Sequence, residues 1–101
     1  MAYLGETIDA NLVAAAGADP ALVVELRAAF VESARRQLDL LGRARCDGNW
    51  QITALRLKGL AASFHAVALM DLSEEALASA PGDPAILRRI DAHLRGLDPQ
   101  G

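Results

Sequence analysis

Apolar residues recur at helical spacing along almost the whole chain, and capping or turn-forming residues cut the pattern into five stretches. At about 3.6 residues per turn each position advances by about 100°, so residues at i, i+3, i+4 and i+7 share a face. After a short lead over residues 1–6, Thr7 is expected to cap a first helix carrying Ile8, Leu12, Val13 and Ala16, which Gly17 stops. Asp19-Pro20 then sets a capping side chain directly before a proline at the first helical position, which opens a long helix. Its expected inward stripe is Leu22, Val23, Leu26, Ala29, Phe30, Ala34, Leu38 and Leu41, while Glu25, Arg27, Glu32, Arg35, Arg36 and Asp39 form a solvated face. Gly42 falls near its end, and Cys46-Asp47-Gly48-Asn49 reads as the turn that reverses the chain before Trp50 begins the next helix.

That next helix is the segment around which the rest is organised, because apolar residues run round more than one side of it. Trp50, Ala54, Leu57, Ala61 and Phe64 fall on one face and are expected to point into the core. Ile52, Leu55, Gly59 and Ala62 fall on the opposite face, where a surface helix normally carries charge. Arg56 and Ser63 lie along one seam between the faces, Gln51 and Lys58 along the other. A helix that is apolar on two sides in so short a chain points to a docking surface.

Beyond Phe64 a fourth helix is expected to hold Val67, Leu69, Met70, Leu72 and Leu77, with Asp71, Glu74 and Glu75 outward, and to end at Ala80-Pro81-Gly82. Asp83-Pro84 repeats the capped start for a last helix that buries Ile86, Leu87, Ile90, Leu94 and Leu97, before Gly96 and Asp98-Pro99 end it. His93 sits on the margin of that stripe. The reading is all-α: a single domain over residues 1–101, built as an up-down-up-down four-helix bundle with a short additional N-terminal helix.

Composition agrees with helices, since the chain is 52% hydrophobic with only 4% aromatic residues. Ten Lys and Arg against thirteen Asp and Glu give a formal charge of −3, and the basic residues are scattered, so no nucleic-acid partner is expected. The single cysteine, Cys46, excludes an internal disulfide and a thiolate cluster. Neither a signal peptide nor a long apolar run is present, which leads to the expectation of a soluble, cytoplasmic protein that does not bind membrane. Asp71 and Glu74-Glu75 lack histidine partners at ligand spacing, and neither a phosphate-cradling glycine loop nor a catalytic triad can be assembled. No metal or cofactor is expected.

Ala54-Leu55-Arg56-Leu57-Lys58-Gly59, followed by small residues and Phe64, resembles the signature of histidine-containing phosphotransfer domains. In that family the central helix reads Ala-His-x-Leu-Lys-Gly-Ser, and the likeness here runs from Ile8-Asp9 through Phe30 and the Asp47-Gly48-Asn49-Trp50 turn to a rather short last helix. The resemblance implies a four-helix bundle whose exposed histidine accepts a phosphoryl group from a receiver aspartate or a kinase. It also implies that Lys58 lies near the phosphoryl oxygens and that Gly59 leaves room for the partner. The position of the phosphorylated histidine, however, is Leu55, which has no lone pair and cannot form a phosphoramidate. The family's helix-ending glycine is replaced by His65, where a bend costs a residue with a Cβ about 1 kcal/mol, so the two helices either bend there or run on.

The expectation is therefore a degenerate phosphorelay module. It binds a response-regulator receiver domain or a histidine kinase through Ile52, Leu55, Arg56, Lys58, Gly59 and Ala62, without being an enzyme. Two alternatives remain open: an active phosphotransfer protein using His65 in a shifted register, and a homodimer through the apolar face. Ser63 and Thr53 have no neighbouring base to activate them.

Overall fold

The computed structural model describes residues 19–97 together with Ala14 and Gly17. Among the described residues the protein is all-helical, with four helices and no strand: α1 (Pro20–Arg43), α2 (Asp47–Ser63), α3 (Val67–Leu77) and α4 (Pro84–Leu97). Of the first, short helix expected from residue 7 onwards, only Ala14 lies among the described residues. No helix is long and apolar enough to cross a membrane among the described residues.

The two Asp-Pro starts behave as their chemistry requires. Asp19 caps α1 by accepting from the Ala21 amide at 3.0 Å, and the Asp83 carboxylate accepts from the Ala85 amide at 2.9 Å at the start of α4. The Asp47-Gly48 pair departs from expectation. It forms the first turn of α2 instead of a separate reversal, and the chain turns through Ala44, Arg45 and Cys46. An acidic residue in the first turn favours the positive end of the helix macrodipole, which outweighs the turn preference of Asp-Gly here.

α2 ends at Ser63 by a Schellman-type closure. The Ala66 amide donates to the Ala61 carbonyl at 2.8 Å and the His65 amide to the Ala62 carbonyl at 3.1 Å. His65 itself takes the left-handed conformation, with φ at 55°. Of the two courses open at this point, the chain therefore bends.

Two other boundaries shift. α3 stops at Leu77, and the chain passes through Gly82, with φ at 81°, before α4 begins. Gly96 does not stop α4, which continues to Leu97, itself buried.

α1 packs against α2 and α4, and α3 packs against the same two, so each helix contacts two others around a shared core. α1 and α4 run antiparallel. Arg27 reaches the Leu97 carbonyl at 3.1 Å, whereas Arg35, two turns further along α1, meets Asp91 at 3.2 Å. Because Arg27 is already level with the end of α4, the first turns of α1 project beyond it. That explains why Leu22, expected inside, is exposed. Ala29 is exposed as well, and Val31 takes a buried place on the stripe.

The core is filled by Phe30, Leu41, Trp50, Leu57, Leu69, Ile90 and Leu94, all essentially without solvent contact. Phe30 and Phe64 stack at a tilt with ring centroids 4.7 Å apart. Trp50 buries its indole and donates from Nε1 to the Ala76 carbonyl at 2.6 Å, which ties α2 to α3. α3 and α4 are joined on the surface by the Glu75–Arg89 ion pair, and the Arg89 guanidinium, donating to Glu75, holds that carboxyl below its ordinary range.

Candidate functional site on the outer face of α2

α2 has the two faces that its periodicity predicts. Trp50, Ala54, Leu57 and Ala61 are buried, whereas Ile52 is 51% and Leu55 54% exposed, with Gly59 and Ala62 exposed on the same side. No neighbouring helix among the described residues seals this row. A Cβ added at Gly59 would meet nothing within 4 Å beyond its own helix, so a partner can approach the backbone there.

The two seams of α2 differ in charge. Lys58 lies on the side of α3, and its ammonium is held by the Glu74 carboxylate at 2.8 Å. Arg56 lies on the side of α1, is exposed, and makes no ion pair or hydrogen bond with any described residue. Thr53 is buried, and Ser63 donates its hydroxyl to the Leu60 carbonyl at 2.7 Å, so neither hydroxyl is placed as a nucleophile.

His65 is exposed at the point where α2 ends. It is ten positions beyond Leu55, about 15 Å along a helix axis, and it is not in the row formed by Ile52, Leu55, Gly59 and Ala62. His93 is half-buried in α4, where burial pushes its imidazole below the ordinary histidine range and its Nε2 has no hydrogen-bond partner among the described residues. Among the described residues, no three His, Cys, Asp or Glu side chains come together as a metal site.

Two features of this surface escape a reading of the sequence. Leu40, on α1, is 45% exposed and lines a groove with Ile52 and Arg56. It stands off the inward stripe, and an apolar residue out of phase with its own helix was the available signal. Glu74 was expected to be solvated, and its contact with Lys58 is set by how α3 lies against α2, which no local pattern encodes. Comparison with family models, with curated proteins and with solved structures finds no match to this chain.

Proposed function

We propose that the chain is a degenerate phosphotransfer module: an up-down-up-down helical bundle that docks a receiver domain or a histidine kinase through the outer face of α2 and does not accept phosphate. The observation that carries this reading is the exposure of Leu55 at the middle of α2, at the position where the resembled family holds its histidine. Leu55 has no nucleophilic atom, while Lys58 and Gly59 keep the family's spacing beside it. An exposed leucine flanked by Ile52 and Ala62 contributes on the order of 1.5–3 kcal/mol when an interface covers it, before the cost of association. Such a module acts in a two-component pathway as a decoy, adaptor or inhibitor.

The test is to mix the purified chain with a panel of phosphorylated receiver domains and histidine kinases, alongside an active phosphotransfer domain. A complex with at least one of them, with no acid-labile label on the chain, is expected. Leu55→Glu is expected to weaken that complex at least tenfold, since a charge is then buried in an apolar contact. Failure of every receiver and kinase to bind overturns the proposal. Acid-labile label lost in His65→Gln would instead identify an active carrier.

A further inference from the structure

We infer that the groove between the end of α1 and the start of α2 is a docking site for a partner segment that presents an aliphatic side chain beside a carboxylate. This groove, of about 360 Å³, is lined by Leu40 and Arg43 from α1 and by Asn49, Ile52, Thr53 and Arg56 from α2. Leu40 and Ile52 stay about half exposed across it, and Ile52 belongs to the same outward row as Leu55. An aliphatic side chain from a partner would cover both.

Charge decides what must accompany that side chain. Among the described residues the groove is lined by two arginines and by no acidic residue, in a chain whose formal charge is −3. Arg43 is held by Asp39 at 3.1 Å, but Arg56 has no anion among the described residues. The neighbouring groove between α1 and α4 differs, because Asp39 and Asp91 line it together with Arg43 and Arg88 and balance its charge. On the other seam of α2, Glu74 already neutralises Lys58. An incoming carboxylate therefore finds its unoccupied cation at Arg56, on the α1 side of the outer face, and not at Lys58. A guanidinium offers a carboxylate a paired, charge-assisted contact.

This inference rests on the docking reading of the α2 face and names where the partner's charge sits. The test follows backbone amide shifts while the whole chain is titrated with 4-methylpentanoate, which carries an isobutyl group and a carboxylate. 4-Methylpentanamide serves as the neutral isostere and inorganic phosphate as the anion without apolar part. Shifts are expected at Leu40, Asn49, Ile52 and Arg56, with the acid binding roughly two- to fivefold more tightly than the amide. Arg56→Gln should abolish that preference and Lys58→Gln should leave it.

Equal binding of acid and amide overturns the inference, as do shifts centred on Lys58, equal binding of phosphate, or no shift up to the solubility limit. Shifts at the same residues that track protein concentration alone would put a second copy of the chain in the groove and also overturn it. Failure of the receiver panel with the groove still binding the acid would remove the pathway and keep the site. A receiver that binds normally to Arg56→Gln would do the reverse.

Discussion

His65 is the residue at which local and global demands on the chain conflict most clearly. The closure of α2 requires a left-handed residue after the helix, and a side chain with a Cβ costs about 1–2 kcal/mol there, a cost that glycine escapes. His65→Gly is therefore expected to stabilise the protein by about 0.5–1 kcal/mol, because glycine's extra freedom in the unfolded chain offsets part of the gain. Thermal unfolding should show a midpoint higher by a few degrees, and His65→Val should lower it. His93 makes a second prediction. In the unfolded chain its imidazole takes a proton near pH 6.5, while burial delays that protonation in the folded state to lower pH. The unfolded state then binds more protons below about pH 6.5, so the contribution of His93 is whole above that value and is lost as pH falls through it. Urea unfolding at pH 7.5 and at pH 5.5, above the carboxylate range, should show a drop in the native protein that His93→Leu largely removes.

At the scale of the element, α2 serves two masters. Its inner face is shared with the core, and its outer face is free of the chain's other described helices, so substitutions on the outer face should separate binding from stability. Gly59→Ala is expected to raise stability by about 0.5–1 kcal/mol, since alanine is the better helix former and the added carbon meets nothing. The same methyl group fills the depression that a docking partner approaches, so the variant should bind its receiver or kinase less well. Calorimetry and a binding titration on one preparation check both halves. Leu55→His restores an imidazole in the exposed row, and incubation with a phosphorylated receiver should then yield acid-labile label on the chain. The label should increase in Leu55→His/Glu74→Gln, where Lys58 is released to meet the phosphoryl oxygens.

For the whole molecule, what holds the helices together is a shared core in which Trp50 has a special place. Its ring is buried in the core and its N–H satisfies the Ala76 carbonyl of α3, so the residue specifies position as well as volume. Trp50→Phe loses the hydrogen bond and leaves a void, for an expected cost of about 2–3 kcal/mol. That is a large fraction of the roughly 5–15 kcal/mol available to a domain of this size, and the denaturant midpoint should fall accordingly. The buried small residues Ala34, Ala54, Ala61 and Ala76 show how closely the helix backbones approach one another.

Much of this was legible in advance because it depends on neighbours a few residues apart. Helical periodicity, the caps at Asp19 and Asp83, and the two-faced character of α2 are consequences of local geometry and side-chain chemistry, and they could be read without coordinates. Leu55 standing where a nucleophile is expected is likewise a matter of residue identity alone. The rest depends on which helix comes to lie against which. Only the packing decided that the first turns of α1 overhang α4 and leave Leu22 wet, and that Leu40 joins Ile52 across a groove. Packing also brought Glu74 from nineteen residues after Leu55 to neutralise Lys58 and left Arg56 without an acid among the described residues. Those outcomes follow from helix lengths and crossing positions summed over the whole core, a quantity that no window of sequence contains.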